Sequence, residues 1–147
     1  MKSVRLVFAA AALAFAAPVA VQAQDYPTVP GDFVEISMIK IDDGHDLEYA
    51  NHLAGQWRKG QDYAKAQGWI TNYQIWTNSN PREDEADVYL VTWFPRMETP
   101  QEIESRAKMY NDYMKTTEAK NQAESGKRAT YRKLAGSMLF RNQTWRQ

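Results

Sequence analysis

The only two imidazoles in this 147-residue chain lie close together, His45 and His52, with Glu48 between them. On a helix that spacing points all three side chains nearly the same way, which is how a divalent metal or a haem iron could be met. Seven residues of helix, however, set the two histidines about 10 Å apart, so one ion could not take both without strain. His45 and His52 also fall on the flank of an apolar stripe, beside Gln56, Lys59 and Tyr63. A solvated polar flank is the simpler reading, and no metal and no cofactor are assigned.

Glu35 and Ser37 interrupt an otherwise apolar strand pattern. A half-buried Glu35 is a candidate base whose pKa burial would raise, and a carboxylate paired with Arg58 or Arg96 is the structural alternative. Trp57, Trp69, Trp76, Trp93, Tyr73, Tyr89 and Tyr110 form an aromatic inventory. Such residues build either a pocket for a flat apolar ligand or a core and subunit interface. From Lys127 to Gln147 there are six bases and no acid. In a chain of balanced charge this reads as a basic face opposing the acidic loop Glu83–Asp87, and no nucleic acid partner is assigned. Gly-x-Ser-x-Gly, Gly-x-Gly-x-x-Gly and Walker patterns are missing, and with no cysteine thiol nucleophiles and thiolate metal sites are excluded.

These groups must be positioned by one domain. Hydrophobic residues make up 44% of the chain and charged residues 24%, with 18 bases balancing 18 acids. That composition is globular. Residues 1–23 read as a secretory signal peptide. Lys2 and Arg5 precede an apolar run from Leu6 to Ala17, Pro18 breaks it, and Val21-Gln22-Ala23 offers a cleavage point. The run is too short to span a bilayer comfortably, so the expectation is an exported, periplasmic or secreted protein with no membrane span after signal removal. Residues 24–31, with Pro27 and Pro30, read as an extended leader, and residues 32–147 as the folded domain.

Alternating apolar residues predict strands at Phe33–Ile41, Trp69–Thr77, Asp87–Phe94 and Gly136–Trp145. A helix is expected from an Asp43 cap to about Gln67, burying Ala50, Leu53, Trp57, Gly60 and Ala64. A second begins at Thr99-Pro100-Gln101-Glu102, a capping box with proline in the first turn. It buries Ile103, Ala107, Tyr110 and Met114, and Gly126 is its expected end. The order β-α-β-β-α-β predicts an α+β, ferredoxin-like fold: a four-stranded antiparallel sheet with two helices on one face. The strands are apolar on both faces, and the chain has no spare segment to cover the second. A second copy packed sheet to sheet is therefore expected.

Element order, length and the Trp- and Tyr-rich strands, over roughly Gly31 to Gln147, resemble the dimeric α/β-barrel superfamily. It includes antibiotic-biosynthesis monooxygenase-type domains, stress-responsive barrels, NIPSNAP-like proteins and haem-degrading relatives. The segment Tyr49-Ala50-Asn51-His52-Leu53 through Trp57-Arg58-Lys59 is also similar to uncharacterised exported bacterial members. The resemblance implies a homodimer with a small apolar pocket on the helix-covered side or in the barrel interior. Glu35, His52, Trp57, Trp93 and Tyr110 are the pocket candidates. The expected function is binding of a small apolar or aromatic ligand. The alternative implied by the resemblance is a cofactor-independent monooxygenase-like or haem-handling enzyme, with His52 as the axial candidate.

Overall fold

Strand β1 (Thr28–Ile41) is the centre of a four-stranded antiparallel sheet. The computed structural model describes residues 26–147, and the expected signal sequence lies outside the described residues. β1 is followed by helix α1 (Asp46–His52), a π-helical stretch (Leu53–Trp57) and helix α2 (Arg58–Ala66), which run on as one rod. Then come β2 (Asn72–Thr77), β3 (Val88–Phe94), α3 (Pro100–Met114), α4 (Glu118–Arg128) and β4 (Arg132–Trp145). The sheet order is β2-β3-β1-β4. The chain is thus α+β, with one helical rod after β1 and two helices between β3 and β4.

Register assigns the faces, because side chains alternate along each strand. Ile36 pairs with Val91 and Met138, and Ile39 pairs with Val88 and Leu134. Ile39 and Val88 join Tyr49, Leu53 and Tyr131 in a buried cluster, with Ile41, Trp57 and Leu90 packed on it. That is the helix-covered face. The opposite face carries Val34, Ile36, Met38, Tyr89, Val91, Trp93, Trp76, Met138 and Phe140. Trp76 and Trp93 meet edge to face at 6.2 Å, on either side of the Gln74–Val91 row, and Val91 is fully buried. Around it Trp76, Met138 and Phe140 remain 45%, 37% and 49% exposed. The strands are therefore apolar on both sides, as their patterns predict.

Several elements differ from the sequence expectation. β1 starts at Thr28, inside the expected leader, because Thr28, Val29 and Pro30 pair with Trp145, Thr144 and Gln143. β4 likewise reaches back to Arg132, with an irregular register where Met38 faces Gly136 and Ile39 faces Leu134. Gly136 has φ +153, and a Cβ there would lie 2.8 Å from Met38 Cε, so the site needs glycine. β2 begins only at Asn72. α1 starts at Asp46 with His45, not Asp43, at the cap position. Tyr49 takes the buried place expected for Ala50, which is exposed.

The expected second helix is two helices. Lys115 adopts the left-handed conformation (φ 54) and stops α3, and the Thr117 hydroxyl caps α4 by accepting from Lys120 N. Gly126 lies inside α4, not at its end. The capping box forms as read: Thr99 and Glu102 exchange side-chain-to-backbone hydrogen bonds. Its apolar stripe is not buried, however. Ile103 is 53% exposed, Ala107 is exposed, and Tyr110 and Met114 are half-buried. Local chemistry supports α3 instead, through Arg96–Glu102, Arg106–Glu98 and Arg106–Glu102 ion pairs.

α3 meets α2 through the Tyr63–Tyr113 ring stack at 4.0 Å and through a close approach of Tyr110 to Gly60. A Cβ on Gly60 would stand 2.7 Å from Tyr110 Oη and 3.0 Å from its Cε2, whereas a Cβ on Gly55 would meet nothing. This contrast gives a direct test. Alanine in a helix gains up to about 1 kcal/mol over glycine, while overpacking costs about 1–3 kcal/mol. Gly60→Ala is expected to lower the melting temperature and Gly55→Ala to leave it unchanged or raise it, measured by thermal unfolding. A stabilising Gly60→Ala would show that the two helices do not approach as described.

Candidate functional site

Clefts open on the helix-covered side, and they differ in chemistry. The most apolar, about 570 Å³, lies between the α1–π–α2 rod and the β2 side of the sheet. Ile41, Tyr49, Leu53, Trp57, Ile75 and Val88 supply its walls, and Asp46, Arg58 and Tyr73 supply polar groups. The π stretch places Trp57 here. Its wider turn interrupts the α-helical ladder between His52 and Arg58, a feature that recurs at functional sites. The Trp57 indole meets the Tyr73 ring edge to face at 5.4 Å. Tyr73 in turn donates to Asp62 Oδ1 at 2.5 Å, and Asp62 stands 3.7 Å from Arg58. The hydrogen bond to Asp62 is the main reason the Tyr73 phenol is held above its ordinary pKa. The indole and phenol are thereby fixed as two walls of a flat-sided site.

A second cleft lies between the same rod and α3–α4. Its inner part, about 270 Å³, is lined by His52, Gln56, Trp57, Tyr110, Asn121, Glu124 and Arg128. An outer part adds Glu48, Lys127, Thr130 and Tyr131. Trp57 thus serves as a wall of both clefts. Burial, then the nearby Arg128 and Arg132 charges, push the His52 imidazole down to about 4, so it is neutral at pH 7. The Tyr110 phenol is pushed up by burial, against the opposing charge of Arg128.

The third cleft, about 370 Å³, contains Glu35, Trp69, Thr92, Phe94, Arg96, Glu98 and Arg106. Its charges are largely satisfied. Arg106 bridges Glu98 and Glu102, and its guanidinium lies 5.4 Å from the Trp69 ring centroid. Size and a mostly apolar lining make the first cleft the best small-molecule candidate.

The sequence candidates do not converge. Glu35 is exposed, not half-buried, and lies in the third cleft. Trp57 lines the first and second clefts; His52 and Tyr110 line the second. Trp93 is on the opposite face of the sheet against Trp76. The metal geometry imagined for His45, Glu48 and His52 is not assembled. His45 Nδ1 and Glu48 Oε2 are hydrogen-bonded at 3.0 Å, and the His45 ring stacks on Tyr131 at 5.2 Å. His52 instead lies against Tyr49 at 5.8 Å. Among the described residues no group of three or more metal-binding side chains is arranged to hold an ion. Sequence reading missed Tyr49 as a cleft wall, although it lies one helical repeat of four before Leu53. It also left Arg128 within a general basic face.

No protein-family model matches this chain, and no curated protein shows significant sequence similarity to it.

The lowered His52 pKa makes stability depend on pH. In the unfolded chain the imidazole titrates near 6.5 and in the fold near 4, so between these values the unfolded state binds more protons. The contribution is therefore fully present above pH 6.5 and is lost as pH falls through the window toward 4. Because the group is half-exposed, solvent screening reduces it to roughly 1 kcal/mol, or about 3 °C. Melting temperatures at pH 7 and pH 4.5 should differ less in His52→Gln than in the unaltered protein. An equal difference in both would remove His52 from the pH dependence.

Proposed function

We propose that this protein is an exported homodimer of the ferredoxin-like, dimeric α/β-barrel kind, whose function is to bind a small apolar or aromatic ligand in the cleft beside Trp57. The single observation that carries the binding reading is that cleft: about 570 Å³, mostly apolar, with Trp57 and Tyr73 set edge to face at its wall. The sheet order β2-β3-β1-β4 supports the topology. The helix-free face supports the dimer. Burying Trp76, Met138 and Phe140 against a twin would remove apolar surface that water now contacts, at about 25 cal/mol per Å². Export rests on the sequence pattern of residues 1–23.

The haem-handling alternative finds a poor fit. The cleft at His52 holds about 270 Å³ in its inner part, and Arg128, Glu124, Gln56 and Asn121 line it. An apolar macrocycle needs a wider and drier slot. The monooxygenase-like alternative would need a base beside a substrate, and Glu35 and His52 line different clefts.

Ligand binding is tested with neutral probes such as indole and naphthalene. Saturating ligand at a hundred times its Kd stabilises a fold by about 2.7 kcal/mol, so a rise of several degrees in melting temperature is expected. Ile75 is 43% exposed at this cleft, so Ile75→Arg should preserve the fold and abolish the rise. No rise with any neutral aromatic probe would refute the reading.

The dimer is tested by sedimentation of the unaltered protein and of Trp76→Glu with Phe140→Glu. A dimer that dissociates in the double variant is expected. A well-folded single subunit at micromolar concentration, before any substitution, would reject it.

A further inference from the structure

The second cleft carries a feature that neither the apolar site nor the fold uses. Arg128, which lines it, has its Nε buried without a hydrogen-bond partner, as has Arg132, which is not part of the lining. Among the described residues neither guanidinium enters an ion pair with a carboxylate. A buried Nε–H with no acceptor is costly, because its desolvation is not repaid, while each of these side chains as a whole is only half-buried. Arg128 also lines the cleft, where its unpaired charge is available to an anion that enters.

The surroundings narrow the class of anion. Arg128 lines the inner cleft with Gln56 and Asn121, whose amides can donate to a ligand oxygen. Asn121 is itself held by Nδ2 donating to Asn111 Oδ1 at 3.0 Å, and its Oδ1 accepts from the Thr116 hydroxyl. Trp57 and Tyr110 form the apolar walls. Glu124 also lines the cleft, but Lys127 Nζ lies 2.6 Å from its Oε1 and offsets its charge. Glu48 at the outer end is hydrogen-bonded to His45 Nδ1 at 3.0 Å. A planar guanidinium matches a carboxylate through two parallel hydrogen bonds. A multiply charged phosphate would meet Glu124 as well, and the repulsion favours a single charge.

We propose that the cleft between the α1–π–α2 rod and α4 is a second binding site, specific for an aromatic carboxylate, with Arg128 pairing the carboxylate and Trp57 and Tyr110 flanking the ring. The site is independent of the neutral-ligand reading of the first cleft, with which it shares only Trp57.

Benzoate is the probe, titrated into the purified full chain by calorimetry, with benzyl alcohol and inorganic phosphate as comparison ligands. Saturable benzoate binding that is stronger than that of either comparison ligand is expected. Arg128→Gln should weaken it roughly tenfold or more, in keeping with the loss of a charged hydrogen bond. Gln56 is exposed, so Gln56→Glu adds a carboxylate to the cleft without disturbing the core and should weaken binding too. Arg141→Gln, on β4 and outside the cleft, should leave it unchanged. Circular dichroism establishes that each variant is folded. If Arg128→Gln fails to fold, Gln56→Glu decides. Absence of saturable benzoate binding at tens of millimolar, tighter binding of phosphate or benzyl alcohol, or full affinity in the folded variants would each overturn the proposal.

Discussion

The pairing of β1 with both β3 and β4 is the constraint on which the molecule depends. It puts one strand in the middle of the sheet and obliges its two faces to be covered by different things. Ile36 and Ile39 are both buried, yet they point to opposite sides. On the Ile39 side the helices do the covering, through Tyr49, Leu53 and Trp57. On the Ile36 side, among the described residues, neighbouring strand side chains do, with the Trp76 and Trp93 indoles flanking the row of Val91. A one-residue slip of β1 would exchange these two sets.

The helix-covered side is not a continuous seal. The rod that follows β1 packs its buried residues toward the sheet but widens through the π stretch, leaving space beside β2. α3 and α4 contribute no buried residue of their own. They are stabilised by caps, ion pairs and a close approach of Tyr110 to Gly60. Loose coverage of this kind leaves clefts at both margins of the rod, and Trp57 stands between the two that carry the functional readings.

Charge divides those clefts. Along the β2 margin, Arg58 and Asp62 face each other and the Tyr73 hydroxyl is engaged, so the walls present mostly hydrocarbon. Along the α4 margin, burial first and then the charges of two arginines keep His52 neutral. The same basic run that reads in sequence as a face balancing the acidic loop thus contributes, at Arg128, a half-buried cleft residue with no carboxylate partner among the described residues.

The amino-acid sequence by itself determined the element order, the Thr99–Glu102 capping box and the two-sided apolar character of the strands. These are local properties, carried by alternation and by residues within three or four positions of each other. Only the tertiary structure decided the rest. The start of β1 at Thr28 and the replacement of Ala50 by Tyr49 depend on partners far along the chain. So does the dispersal of Glu35, His52, Trp57, Trp93 and Tyr110 among three clefts and an opposite face. Residue types announce which chemistry a chain can perform, but convergence is a property of packing. Here packing brought together Trp57 and Tyr73, and His52 and Arg128, across separations that no periodicity in the sequence encodes.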